Sequence, residues 1–251
     1  SRRDPNRTLE LRKLIGRIID VCQAIAYAHS RGVLHRDIKP DNIMLGKYGE
    51  TLVVDWGLAK VCRVSTSDDT QLLHDEQSLS GSSSGDSAHE TRHGSVIGTP
   101  AFMSPEQASG NPDRIDHRSD VYSLGATLYC LLTGTPAYNS QDEFGNSISI
   151  QQLLERIRSG IFRPPLQIDS TIPKPLAAIC MQAMAADPAN RYSDALKLAD
   201  DLERWLADEP VSAYLEPTIA RVRRWVKRHQ TIATTAVAII LLSIVGLTSF
   251  S

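Results

Sequence analysis

The chain has 251 residues, 41% of them hydrophobic, which is enough to bury one good core and too apolar for a disordered chain. Its formal charge of −2 gives no general pull toward nucleic acid, so any basic character must be local and no nucleic-acid partner is expected. Its four cysteines, Cys22, Cys62, Cys130 and Cys180, form no CxxC pair and have no histidine at ligand spacing, which argues against a zinc site or a disulfide framework and suits a reducing compartment.

Apolar residues at Leu11, Leu14, Ile15, Ile18, Cys22, Ile25 and Ala26 have the spacing of an amphipathic helix, which Gly32 ends. Short β-type pieces follow at Val33-Leu34, Ile43 to Leu45 and Leu52 to Val54, with Gly46 and Gly49 turning between the last two. Residues 65–95 shift to Ser, Thr, Asp, Glu and Gly and carry too little apolar surface to order themselves, so they read as a flexible insertion. Order resumes near Gly98. Val121 to Leu132 is apolar on nearly every face and predicts a central buried helix closed by Gly134 and Pro136. Ile150 to Arg158 and Leu176 to Ala186 read as further helices, and Ser193 as the N-cap of a last helix reaching about Leu206.

Residues 231–250 contain no charged side chain, and a helix of that length spans about 30 Å, the thickness of a bilayer's hydrocarbon core. Arg221, Arg223, Arg224, Lys227 and Arg228 precede it, with Trp225 among them. The pattern predicts one transmembrane helix at 231–250, a basic juxtamembrane linker at 208–230 and residues 1–207 on the cytoplasmic side of the cell membrane. Ser1 in place of Met, and an end that runs out of an apolar stretch, read as a piece of something longer.

The chemistry concentrates in His35-Arg36-Asp37-Ile38-Lys39-Pro40-Asp41-Asn42. Phosphoryl transfer from a nucleotide needs a carboxylate to orient the attacking hydroxyl and accept its proton. It also needs a cation against the developing phosphoryl charge, and oxygen ligands for magnesium. Asp37, Lys39 and Asn42 supply these on a loop between the first helix and a short strand. A second acid, Asp55, follows an apolar strand and stands thirteen residues after Asn42, in Asp55-Trp56-Gly57.

Across about residues 8–206 the chain resembles the eukaryotic-type (Hanks-type) protein kinase family. The 35–42 string resembles its catalytic loop, which implies Asp37 as base, Lys39 toward the phosphate and Asn42 on metal. Asp55-Trp56-Gly57 resembles the DFG element, which implies Asp55 as the second ligand of ATP-bound Mg2+. Its Trp keeps an aromatic ring for the regulatory spine and bears on how readily the segment flips. Ser104-Pro105-Glu106 resembles the APE element, preceded by Gly98-Thr99-Pro100. Asp120 matches the acid that steadies the catalytic-loop backbone, and Arg191 the partner of the APE glutamate, here Glu106. Lys39 and Thr99 resemble the serine/threonine branch. Arg36 resembles members switched on by activation-segment phosphorylation, with Thr91 and Ser95 the candidate sites.

The resemblance implies a mainly α fold: a kinase large (C-terminal) lobe with short β-hairpins, the small lobe absent, and the membrane helix appended. It implies ATP and Mg2+ as cofactors and protein substrates with Ser or Thr acceptors. A homodimer would serve trans-autophosphorylation. A kinase domain, a basic stretch and one span together resemble bacterial receptor-type kinases. No glycine-rich phosphate loop, strand lysine or paired helix glutamate is found, so these residues alone should bind ATP poorly and transfer little phosphate. Two alternatives compete. A small-molecule phosphotransferase of the aminoglycoside or choline kinase kind generally lacks the APE-type element, and a catalytically inactive membrane scaffold does not need all of Asp37, Lys39, Asn42 and Asp55.

Overall fold

The computed structural model describes residues 5–61, 100–141 and 146–217. Helix α1 (Pro5–Ser30) buries Ile15, Ile18, Ile19, Cys22 and Ile25 along one side and leaves Arg7, Glu10 and Lys13 in solvent. It stops where Gly32 takes φ of 72°, a left-handed conformation that side chains with a β-carbon avoid. Four short strands follow: β1 (Val33–Leu34), β2 (Ile43–Leu45), β3 (Thr51–Val53) and β4 (Lys60–Val61). β2 and β3 form an antiparallel hairpin with Ile43 opposite Val53, while β1 pairs with β4, placing Leu34 opposite Lys60. The rest is helical: α2 (Pro105–Ala108), α3 (His117–Thr133), α4 (Ile150–Ser159), α5 (Pro165–Ile168), α6 (Lys174–Ala183) and α7 (Ala195–Leu206).

α3 is the axis of the lobe and is buried without a break from Ser119 to Tyr129. It is capped at its start by Asp116, whose carboxylate accepts from the Arg118 amide at 2.8 Å, and closed by Gly134 at φ of 78°. Gly125 lets α6 approach: a β-carbon there would stand 2.7 Å from the Ala183 β-carbon. α7 lies along α1, where Arg12 bonds the Leu206 carbonyl and sets its guanidinium 5.5 Å from the Trp205 ring centre. Cys22 and Cys180 are fully buried, and burial pushes both thiols well above the ordinary range, as core residues rather than reactive groups. Cys62 lies outside the described residues.

Two expectations are corrected. The cap of α7 is Asp194, which accepts from the Lys197 amide at 2.9 Å, while the Ser193 hydroxyl donates to the Asp194 carboxylate instead of capping the helix. The chain also stays packed beyond α7, because buried Asp201 accepts from the Ser212 amide at 2.8 Å, the Ser212 hydroxyl at 2.7 Å and the Ala213 amide at 3.1 Å. The larger correction concerns the fold class. Among the described residues no helix is long and apolar enough to cross a membrane, so the described fold is a helical lobe and the transmembrane helix expected with it finds no support there. The longest helix among the described residues, α1, carries Arg7, Glu10, Arg12, Lys13, Arg17 and Asp20 along its length. The apolar α3 is only 17 residues long and serves the interior of the lobe. Residues 231–250, where the span was expected, lie outside the described residues, as does most of the basic linker before them.

Candidate active site

The loop between β1 and β2 is shaped from below by α3. Asp120, in its first turn and 1% exposed, accepts from the His35 amide at 2.9 Å and the Arg36 amide at 2.8 Å. His29, near the end of α1, meets the same carboxylate through Nε2 at 2.7 Å. These bonds hold Arg36 at φ of 70°, a left-handed conformation that costs a non-glycine residue about 1–3 kcal/mol and persists where surrounding contacts over-determine it. The Arg36 carbonyl is held too, accepting from Gln107 Nε2 at 2.9 Å.

The reversal presents Asp37, whose Oδ2 accepts from Lys39 Nζ at 2.6 Å and from Asn42 Nδ2 at 3.2 Å. Asn42 Nδ2 also donates to the Asp37 carbonyl at 2.8 Å, so one amide fixes both the backbone and the side chain of the acid. Asp37 is 7% exposed and Asn42 6%, so these bonds act where water competes poorly. The three residues expected to carry chemistry therefore form one bonded cluster.

Asp55 arrives from the hairpin. The Val54 amide donates to the Asn42 carbonyl at 2.9 Å, and Asp55 follows with φ of 63° and an exposed side chain. Gly57 stands close by: a β-carbon there would come to 3.3 Å from Asp55 Oδ1, so the carboxylate would have to shift slightly. Trp56 donates its indole N–H to the Val53 carbonyl at 3.0 Å and packs on His35, with ring centres 4.5 Å apart. His35 in turn reaches the Val54 carbonyl through Nε2 at 3.2 Å and accepts the Asp37 amide on Nδ1 at 3.3 Å. That pair of partners selects the tautomer with the proton on Nε2.

Asn42 commits its nitrogen to Asp37, which leaves its amide oxygen and the Asp55 carboxylate as the oxygen donors that the sequence assigns to metal. Among the described residues no group of three or more His, Cys, Asp or Glu stands together as a metal site. A small set of oxygens fits magnesium, which is held by one or two protein oxygens plus phosphates and waters.

Further out, Glu106 and Arg191 form a buried fork: Arg191 donates to Oε1 at 2.7 Å and Oε2 at 2.8 Å. The Ser119 hydroxyl adds a bond to Glu106 at 2.7 Å. Burial would raise the Glu106 carboxyl, but the hydrogen bond and charge of Arg191, with Ser119, outweigh it and hold it below the ordinary carboxylate range.

Thr91, Ser95 and Thr99 lie outside the described residues. Arg36 Nε is buried and finds no acceptor among the described residues, an open donor on a cation. Sequence reasoning missed His29, Gln107, Ser119 and Tyr122, the last lying 4.9 Å under the Arg191 guanidinium. His29 reaches Asp120 across 91 residues and Gln107 reaches Arg36 across 71, which spacing within a motif cannot show.

A family model described as a protein kinase domain matches residues 4–202. The chain belongs to the protein kinase domain family. It is 39% identical over 191 residues to the serine/threonine-protein kinase PknD of Protochlamydia amoebophila (strain UWE25), covering 75% of this chain and 18% of that protein. It is 34% identical over 197 residues to PknD of Chlamydia trachomatis serovar L2b (strain UCH-1/proctitis), covering 76% of this chain and 19% of that protein. Against the serine/threonine-protein kinase PknB of Mycobacterium leprae (strain TN) the identity is 35% over 196 residues, covering 78% and 26%. The chain thus spans about a fifth to a quarter of the length of these relatives. The kinase domain match takes in the Asp37 loop, the Asp55 turn and the Glu106–Arg191 fork.

Proposed function

We propose that this kinase domain serves a serine/threonine protein kinase, moving the γ-phosphate of ATP to hydroxyls of protein substrates. The observation that carries the reading is the bonded cluster of Asp37, Lys39 and Asn42 on a loop whose backbone is clamped by Asp120. Asp37 accepts the proton of the attacking hydroxyl as its oxygen bonds to the γ-phosphorus, while the bond to the β–γ bridging oxygen breaks and ADP departs. Lys39, already on Asp37 Oδ2, is placed to turn to the transferring phosphoryl group and offset its charge. Asn42 and Asp55 would hold magnesium, which supplies charge compensation along the phosphates.

Lysine two positions after the acid, and the serine/threonine-kinase names of the relatives, support hydroxyl acceptors of the Ser and Thr kind. For Thr99 we propose support of that acceptor. Arg36, with its buried open donor, is proposed to receive a phosphate on the activation segment, at Thr91 or Ser95.

The test is the full-length protein incubated with Mg-ATP and a serine- and threonine-containing protein, followed by phosphoamino-acid analysis. Phosphoserine or phosphothreonine is expected. Phosphotyrosine alone, or phosphate moved only to a small molecule, would overturn the assignment.

A further inference from the structure

We propose that Gln107, a residue of the helix after the activation segment, positions the catalytic aspartate by holding the peptide that joins Arg36 to Asp37. The inference rests on the kinase reading above, because it assigns Asp37 as the base.

Gln107 is the third residue of α2 and closes a capping box with Ser104. Its Oε1 accepts from the Ser104 amide at 3.1 Å and the Ser104 hydroxyl at 3.0 Å. With the oxygen so used, the other end of the same amide must present N–H groups, and Nε2 donates to the Arg36 carbonyl at 2.9 Å.

That carbonyl shares a rigid plane with the Asp37 amide, because a peptide unit is planar. Turning the plane turns the base. Arg36 is left-handed, a conformation disfavoured for a residue with a β-carbon, so the plane relaxes unless held from both directions. Asp120 holds the Arg36 amide on one side, and Gln107 holds its carbonyl on the other. The grip also joins two parts of the domain, since α2 follows directly on residues 100–104, where the activation segment rejoins the described structure. Gln107 is thus a positioning residue, and ordering α2 and orienting Asp37 are coupled through one side chain.

Glutamine does two jobs that can be separated. A glutamate keeps an oxygen for the cap but has no N–H for Arg36. Ser104→Ala removes the hydroxyl of the cap and leaves the Gln107–Arg36 bond. The experiment measures kcat, the KM values for ATP and protein substrate, and melting temperature for full-length protein and its Q107E, S104A and D37N variants.

The expected result is a kcat about tenfold lower in Q107E, the size set by losing one well-formed bond, with the KM for ATP and the melting temperature close to the parent's. S104A should lose melting temperature with a smaller change in kcat. A Q107E kcat within about twofold of the parent's overturns the proposal, as does a kcat loss that merely follows melting temperature in both variants. D37N keeps the two readings apart. If D37N transfers phosphate at the parent's rate, the reading of Asp37 as the base fails. If D37N is inactive while Q107E matches the parent, only the role of Gln107 is lost.

Discussion

Replacing Arg191 with lysine keeps the charge and is expected to be among the more damaging single changes in the lobe. All five guanidinium N–H groups are used. Nε donates to the Ala185 carbonyl at 2.7 Å. One terminal nitrogen reaches Glu106 Oε1 at 2.7 Å and the Arg118 carbonyl at 2.9 Å, and the other reaches Glu106 Oε2 at 2.8 Å and the Ala186 carbonyl at 3.1 Å. The side chain is fully buried, with the Tyr122 ring beneath it. Lysine has three donors, so at least two acceptors lose their partner. Each buried group left unsatisfied costs about 1–3 kcal/mol, giving roughly 2–6 kcal/mol in total. In a domain of this size that is a fall in melting temperature on the order of 10 °C, read by differential scanning fluorimetry or calorimetry. Adding Glu106→Gln to the lysine variant should recover part of the loss, because the buried carboxylate no longer needs a fork. A lysine variant melting within about 2 °C of the parent would refute the reasoning, because it would mean that water or local shifts satisfy those acceptors freely.

Acid should weaken the same fork. Glu106 ionises below its ordinary value of 4.5 in the folded protein, so it contributes stability above that pH and loses it as pH falls through the folded value. Melting temperature against pH should therefore drop less steeply below about 4.5 in E106Q than in the parent, and identical acid limbs would count against a stabilised carboxylate. For Asp120, replacement by asparagine keeps one acceptor oxygen where the loop presents two backbone N–H groups and His29. Hydrogen exchange should then show the His35 or Arg36 amide losing protection by about 5- to 100-fold, the effect of one unsatisfied buried donor. Unchanged protection of both amides would mean that Asp120 does not hold the loop.

Local signals were readable where the chain interacts with itself over short distances. The apolar spacing of α1, the stop at Gly32, the all-round apolar stretch of α3 and its close at Gly134 follow from periodicity and backbone preference. Asp37, Lys39 and Asn42 were legible for the same reason, lying within six residues on one loop. What remained hidden depends on tertiary placement. Lys60-Val61 becomes a strand because Val33 and Leu34 lie alongside, and no propensity in two residues announces that. His29 and Gln107 matter because folding carries them to Asp120 and Arg36. Ser193 and Asp194 both have capping side chains, and only the register of α7 decides between them. The residues proposed for regulation and acceptor support, at 91, 95 and 99, belong to the part of the chain that the described structure does not include.

The central claim is that Asp37 takes the proton of the substrate hydroxyl, and single-turnover transfer from γ-labelled ATP by the full-length protein carrying Asp37→Asn tests it most directly. Asparagine preserves the size of the side chain and an acceptor for Lys39 and Asn42 but cannot take the proton. The account predicts a transfer rate lower by about 10²–10⁴-fold with ATP binding retained. A rate equal to the parent's, with folding intact, would contradict it.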